Sequence, residues 1–271
     1  MKYWIDVTSL PHVHFFRALA GRLAKSGNEV FITTREFGIM NEIIRRNGMK
    51  ATSVGEHGGK DVKEKLIKSS ERVATLAEIV AKENPDVALS KHSIESARVS
   101  FGLCIPSVMV IDLETARKQT RLTAPLADVV VTPLATPRKE IESMGAGDVR
   151  QFSGVCETAH FYDFSPSDLV LRELGLSGED TIVMARSEPL LSSHNFHESK
   201  LFQALKRIRK DFPDVKVVLL PRDTGDSKRF GEIITAVGFL ANRVRILSFL
   251  IVLIWILTIM GERSPYTGPE I

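Results

Sequence analysis

Short apolar runs alternate with helical segments through the first half of the chain, and this alternation restricts its fold more than any other feature. The runs are rich in β-branched and aromatic residues, which is typical of buried strands. They occupy Tyr3–Val7, Val30–Thr34, Ala51–Val54, Val87–Ser90, Ser107–Ile111 and Val129–Thr132. Because a helix or a segment of crossover length separates each run from the next, the sequence predicts a parallel sheet with helices on both faces.

Three helices in this half have clear limits in the sequence. They cover Val13–Lys25, Phe37–Arg46 and Val62–Glu83, each with apolar residues at helical spacing. In the third helix, Val62 and Leu66 share a face with apolar residues further along. We therefore expect both of them to be buried.

The α/β pattern relaxes near residues 153–167 and then resumes. Later elements are predicted as a helix at Leu169–Leu174, a strand at Thr181–Ala185, a helix at Glu198–Lys210, a strand at Lys216–Leu220 and a helix that begins at Gly231. We expect an N-terminal Rossmann-like domain over residues 1–153, a linker over 154–167, a partial C-terminal Rossmann-like domain over 168–240 and an apolar tail over 241–271. The predicted fold class is α/β with two Rossmann-like domains, the second incomplete and ending in an apolar helical tail.

Composition and charge exclude several classes of protein. A formal net charge of +3 is too small, and the basic residues are too scattered, to indicate nucleic-acid binding. The cysteines Cys104 and Cys156 are far apart, so we expect reduced thiols and a cytoplasmic location. No glycine lies between Thr8 and His12, directly after the first strand, which argues against a dinucleotide site of the NAD type.

The loop after the first strand is the first candidate site, because ligands of parallel α/β sheets bind at the carboxyl ends of the strands. Asp6 and His12 lie there and could form an acid/base pair on a sugar hydroxyl, since a histidine titrates near neutrality and a carboxylate can orient it. The alternative is that Asp6 bonds the backbone of its own loop and that His12 is a surface residue. His14 falls in the first helical turn, where it either contacts substrate or packs.

Other candidate residues follow later strands of the first half. Gly58, Gly59 and Lys60 could present backbone N–H groups and a positive charge to an anion, or they could form a plain turn. Lys91-His92 and Asp112 also come directly after strands, so their position alone places them at the same edge of the sheet.

The second half offers a separate group of candidates at strand ends. Arg186 is suited to a phosphate and Glu188 to ribose hydroxyls, although an internal salt bridge between the two is an equal alternative. His194 also follows the predicted strand Thr181–Ala185, and Arg222 follows the predicted strand Lys216–Leu220. His194 and His197 stand three residues apart without an evident third ligand, so we predict no metal site.

An uncharged apolar run, Ile246–Met260, lies near the end of the chain. Its fifteen residues would span about 22 Å as a helix, which is short of the ~30 Å hydrocarbon core of a bilayer. Arg243 and Arg245 precede it and would be costly inside a membrane. Three interpretations stay open: membrane contact, a buried segment, or an out-of-frame tail.

Several short motifs occur in the order found in one known family. They read YWIDVTSLPHVHFF, GEHGGK, PDVALSKHS, LADVVVTP, VMARSEPLLSSHNF and VVLLPRD. On these motifs the chain resembles the archaeal and bacterial family called domain of unknown function 354 over about residues 1–240. That family is similar to two-domain sugar-nucleotide folds, the group that contains UDP-N-acetylglucosamine 2-epimerase and MurG-type glycosyltransferases.

The resemblance implies a nucleotide-sugar glycosyltransferase or epimerase without a cofactor or metal of its own. The acceptor would lie near Asp6–His14 and the nucleotide near Arg186–His194. In the family a Gly-Gly-Thr loop suited to the donor's phosphates follows later in the second domain, and this chain does not show it. We therefore also expect a truncated or frame-shifted C-terminus. The alternative function is a non-catalytic remnant or ligand-binding module that lacks the donor-phosphate loop.

Overall fold

Seven parallel strands form the larger sheet of the protein, in the order β3-β2-β1-β4-β5-β6-β7. The strands are β1 Lys2–Val7, β2 Glu29–Glu36, β3 Thr52–Glu56, β4 Val87–Lys91, β5 Ser107–Val110, β6 Val129–Pro133 and β7 Val149–Phe152. The computed structural model describes residues 1–59, 61–161, 165, 168–186, 200–220, 231 and 233–237. The alternation of apolar runs and helices thus predicted the parallel α/β sheet correctly.

Six helices and one short 3-10 segment connect these strands, and a second 3-10 segment follows β7. The helices are α1 Leu10–Lys25, α2 Met40–Arg46, α3 Val62–Glu83, α4 Ile94–Gly102, α5 Arg117–Thr123 and α6 Arg138–Glu142, and the 3-10 segments are Ala124–Leu126 and Cys156–Phe161. Helix α1 begins three residues before its predicted start, because Pro11 fits the first turn of a helix, where its missing N–H leaves no bond unmade.

Two of the sequence expectations for this half are wrong in detail. Val62 and Leu66 of α3 are 79% and 70% exposed instead of buried. The 22 residues of α3 extend about 33 Å, whereas the five residues of β3, the strand before it, extend about 17 Å. Because the helix is longer than the strand, its first turns can lie exposed. Strand β7 was missed because its sequence, Val-Arg-Gln-Phe, is half polar.

The centre of the sheet is buried on both faces. Trp4 of β1 is fully buried and packs in one apolar cluster with Leu76 and Val80 of α3. Its indole Nε1 donates a hydrogen bond to Thr33 Oγ1 at 2.8 Å. A second apolar cluster, which contains Met109 and Val130, lies among β5, β6 and α6. The central strands are therefore a rigid base for the loops at their ends.

The chain divides into two units, Met1–Asp163 and Phe164–Ile271. In the second, the described elements are α7 Leu169–Glu173, β8 Ile182–Arg186, α8 Lys200–Asp211, β9 Lys216–Leu220 and β10 Ala236–Val237. The strands form a parallel sheet in the order β10-β9-β8. The helix expected from Gly231 is contradicted, because Ala236 and Val237 pair with β9 as a strand and this pairing outweighs local helical propensity.

The apolar run Ile246–Met260 lies outside the described residues. Of the helices that the structure does describe, none combines the length and the apolar composition required to cross a bilayer.

Candidate functional site

The carboxyl ends of β1, β4 and β5, which are neighbours in the sheet, bring together a group of polar side chains that we call the edge cluster. It consists of His12, Lys91, His92 and Asp112, together with Cys156, which the 3-10 segment after β7 places beside Lys91 and Asp112. Lys91 and Asp112 form a close ion pair. Both also lie near enough to His12 and Cys156 to act on the pKa of each.

His12 is an uncharged imidazole at neutral pH. Burial, followed by the positive charge of Lys91, lowers its pKa to about 3. Its Nδ1 lies 3.5 Å from the hydroxyl of Thr8, in the loop between β1 and α1. An imidazole in this state can accept one hydrogen bond and donate another, which suits contact with a sugar hydroxyl.

His92 is held in a left-handed backbone conformation, with φ of 52°. For a residue other than glycine this costs about 1–3 kcal/mol and persists only where the surroundings enforce it. Here α5 supplies the restraint: Thr120 Oγ1 lies 3.0 Å from His92 Nε2, and the Gln119 amide donates to the His92 carbonyl. The side chain of His92 is thus fixed from one side by a helix.

Asp6 belongs to a different, fully buried network. Its Oδ1 accepts from Thr33 Oγ1 at 2.6 Å and from Arg72 Nη2 at 2.6 Å. Its Oδ2 accepts from Ser93 Oγ at 2.6 Å and from Arg72 Nη1 at 3.1 Å. Burial alone would raise the pKa of Asp6, but Arg72, Ser93 and Thr33 together hold it below its usual value. These donors occupy all the lone-pair sites of a carboxylate, which favours a structural role for Asp6 over the predicted acid/base role.

Arg72 extends this network to β3 and α4. Its Nε donates to the Val54 carbonyl at 2.8 Å, and its Nη1 lies 3.7 Å from Glu95 Oε2. Ser69 donates to Glu95 at 3.0 Å, and Arg35 Nη1 lies 3.9 Å from the same carboxylate. The sequence analysis missed Arg72, although its spacing with the apolar positions at the end of α3 is a signal that it shares their buried face.

His14 packs against the 3-10 segment Cys156–Phe161. Its ring centre lies 5.4 Å from that of His160. Burial lowers the pKa of His14 to about 4, with smaller contributions from His160 and Arg17, and burial likewise lowers the pKa of His160 to about 4. This contact favours the packing alternative for His14.

The loop at Gly58 and Gly59 closes on itself. A Cβ on Gly58 would come within 2.4 Å of the Lys65 backbone nitrogen, so the loop lies directly against the first turn of α3. The Gly59 N–H donates to the carbonyl of His57 at 2.8 Å and approaches its Nδ1 at 3.1 Å. These contacts favour a plain turn over an anion site, and Lys60 lies outside the described residues.

Most of the candidates in the second half also lie outside the described residues, namely Glu188, His194 and Arg222. Arg186 is described: it is exposed and is the last residue of β8, where it pairs in register with Leu220. Over the described parts of both units, no group of three or more His, Cys, Asp or Glu side chains is arranged to hold a metal ion.

The fold is that of known sugar-nucleotide enzymes. MnaA of S. aureus, solved with UDP, matches with a TM-score of 0.70 at 13% identity, covering 92% of this chain and 71% of the other. The UDP-GlcNAc 2-epimerase of Methanocaldococcus jannaschii matches with a TM-score of 0.65 at 13% identity, covering 93% of this chain and 76% of the other. At these identities the likeness shows the fold alone, a GT-B-like arrangement as predicted.

Two sequence comparisons are closer. The uncharacterized protein MJ0665 of Methanocaldococcus jannaschii is 34% identical over 238 residues, which are 86% of this chain and 69% of that protein. A family described as "Protein of unknown function (DUF354)" matches residues 1–257. The chain therefore belongs to this family, as its short motifs indicated.

Proposed function

We propose that this protein takes a nucleoside-diphosphate sugar as its substrate, as a glycosyltransferase or an epimerase. The edge cluster carries the proposal: three histidine or lysine side chains and one carboxylate converge at the carboxyl ends of β1, β4 and β5. In open α/β sheets this is where ligands bind. The fold that surrounds the cluster is shared with proteins solved with UDP and with UDP-GlcNAc.

Within the cluster, His12 is the group best suited to a sugar hydroxyl. Its neutral ring can accept the hydroxyl's hydrogen bond and so orient the oxygen, while Lys91 adds positive charge beside that oxygen. Asp112 holds Lys91 in place through their ion pair. We propose that the nucleotide itself is bound by the second unit, through Arg186 and the sequence-predicted Glu188, His194 and Arg222.

A second candidate function is a ligand-binding module without catalysis. The saturation of Asp6 favours it, because this carboxylate at the end of β1 has no lone pair left to orient His12. The two functions differ in turnover and not in binding, so one experiment separates them.

The test is thermal unfolding of the intact chain with UDP, UDP-N-acetylglucosamine and a panel of other nucleotide sugars. A ligand of the native state raises Tm as its concentration exceeds Kd. We expect at least one nucleotide sugar to do so. Lys91→Ala should reduce the shift, whereas Lys50→Ala, an exposed lysine just before β3 at the opposite edge, should not.

NMR of the bound sugar then separates the two functions. A changed or released sugar supports the enzyme, and an unchanged sugar supports the module. A folded sample that responds to none of the nucleotide sugars would overturn both.

A further inference from the structure

A cavity of about 580 Å³ lies in the first unit, beside the edge cluster. Helix α1 forms one wall, residues of β5, β6 and β7 form another, and the Cys156–Phe161 segment forms a third. The apolar side chains that line it include Phe15, Leu19, Val110, Val131, Phe152 and Phe161. Sites for small organic molecules have volumes of roughly 300–1,000 Å³ and are lined mainly by apolar and aromatic groups, so this cavity has the size and character of a ligand site.

One end of the cavity is polar. Cys156 is part of its wall and lies beside Lys91 and Asp112 of the edge cluster. Phe15, on the opposite wall, has its ring centre 5.5 Å from Lys91 Nζ. The cavity is therefore amphipathic. Its apolar part has about the volume of a small organic molecule, and it adjoins the Lys91–Asp112 ion pair at the strand ends.

We propose that this cavity binds the apolar part of an acceptor alcohol, with the alcohol's hydroxyl group placed at the edge cluster. The occupant is an aryl or short-alkyl alcohol, since phenylalanine rings and aliphatic side chains line the cavity and the Lys91–Asp112 ion pair lies beside Phe15 at one end of it. The inference rests on the proposed function and deepens it. An epimerase acts on a single polar substrate and has no use for an apolar cavity, whereas a glycosyltransferase needs a second substrate.

The reaction then balances without an oxidant or a reductant. The acceptor oxygen forms a bond to the anomeric carbon of the sugar. The bond from that carbon to the diphosphate oxygen breaks, and the nucleoside diphosphate leaves with the electron pair. The hydroxyl proton is released to water, while the ring of His12 accepts the hydroxyl's hydrogen bond and orients its oxygen.

The probe for this site is 4-methylumbelliferone, a fluorescent aryl alcohol, with 1-octanol as a competitor. Val155 lines the cavity and is 49% exposed, so a substitution there changes the cavity with little effect on the core. We expect Val155→Asp to weaken binding of the probe at least about tenfold, because it places a charge against the ligand's apolar body. The matched control is Val62→Asp, which changes an exposed valine of α3 that does not line the cavity.

A second variant keeps the test informative if Val155→Asp fails to fold. Val155→Trp fills the space without adding a charge and should weaken binding of the probe to a similar extent. If the folded protein binds neither alcohol, or if both Val155 variants bind as well as the wild type, the proposal is wrong. A cavity already filled by part of the same chain would give the first of these results.

Failure of this inference can be told apart from failure of the proposed function. If a nucleotide sugar raises Tm while no alcohol binds, the nucleotide-sugar function stands and the acceptor cavity does not. If the alcohol binds, the next measurement is transfer of the sugar to 4-methylumbelliferone. Transfer is monitored as the loss of the probe's phenolate fluorescence. Absence of transfer with every nucleotide sugar that binds would overturn the transferase assignment.

Discussion

Arg72 of α3 donates from both of its terminal nitrogens to Asp6 of β1, at 3.1 and 2.6 Å, and both side chains are almost entirely shielded from solvent. The pair joins residues 66 positions apart in the sequence. It ties α3, the longest helix of the first unit, to β1, an interior strand of its sheet.

Arg72→Ala should lower the free energy of unfolding by about 3–5 kcal/mol, because it leaves the Asp6 carboxylate buried and uncompensated. Urea denaturation measures the loss. Lys68→Ala is the control on the same helix: Lys68 is partly exposed and pairs with Glu56 at 3.1 Å, so its loss should change stability far less than the loss of Arg72. Equal effects from the two variants would contradict a structural role for the buried pair.

The free energy of unfolding should fall as the pH falls from about 6.5 towards 4. An unfolded histidine takes up a proton near pH 6.5, whereas the folded His14 and His160 have pKa values of about 4, so the unfolded state binds more protons in this interval. His12, with its pKa of about 3, extends the loss to lower pH. Below these folded pKa values the histidine contribution levels off, whereas Asp6, whose pKa is held below its usual value, adds a further loss of stability in more acidic solution.

Urea titrations at roughly pH 7, 6 and 5 test this dependence. Each histidine contributes a slope of at most about 1.4 kcal/mol per pH unit. His14→Phe removes one titrating ring and should make the fall shallower. A free energy of unfolding that does not change over this range would refute the expected protonation of the histidines.

Gly58→Ala should destabilise the protein by about 1–3 kcal/mol, because the new Cβ would clash with the α3 backbone at Lys65 and force the loop to move. Gly147→Ala is the matched control, since a Cβ there meets no atom within 4 Å and should change stability by about 0.5 kcal/mol or less. Thermal unfolding of the two variants gives the comparison. A tolerated Gly58→Ala would show that the loop is loosely packed.

The two cysteines should differ sharply in reactivity. Cys104 is exposed, whereas Cys156 is buried and burial raises the pKa of its thiol to about 12. A colorimetric thiol reagent should therefore titrate one thiol rapidly in the native protein and two after denaturation. In Cys104→Ser the rapid reaction should disappear, and its persistence would place Cys156 in contact with solvent.

The sheet could be predicted from the sequence because its strands are short apolar runs with helices between them, a pattern that depends on local residues. The edge cluster could be predicted in part: His12, His92 and Asp112 follow strands, and the carboxyl ends of parallel strands meet at one edge.

Helical spacing places Arg72 on the buried face of α3, but the sequence does not identify its partner. A charged residue on a helix is normally exposed, and its burial here depends on an acid at the far end of the sequence. Nor does the sequence show that Thr33 and Ser93 donate to the same carboxylate. The hydrogen bonds that saturate Asp6 form only when four parts of the chain come together in the fold, so the local sequence of any one of them does not predict the network.

The left-handed backbone of His92 restricts what can replace it. Asn and Gly adopt this conformation most readily, but neither can reach the Thr120 hydroxyl with a ring nitrogen. A mutational scan of this position should therefore separate two requirements: a residue that tolerates the left-handed backbone, and a side chain that reaches the Thr120 hydroxyl.

The pairing of Asp6 with Arg72 also has a consequence for the order of events during synthesis. The first strand leaves the ribosome early, but its carboxylate has no partner until α3 has emerged, and the strand that flanks it, β4, follows later still. Until then the Asp6 carboxylate must stay hydrated, so β1 cannot be buried in an apolar core. Strand β1, an interior strand of this sheet, is made first and can be buried only after its neighbours β2 and β4 arrive.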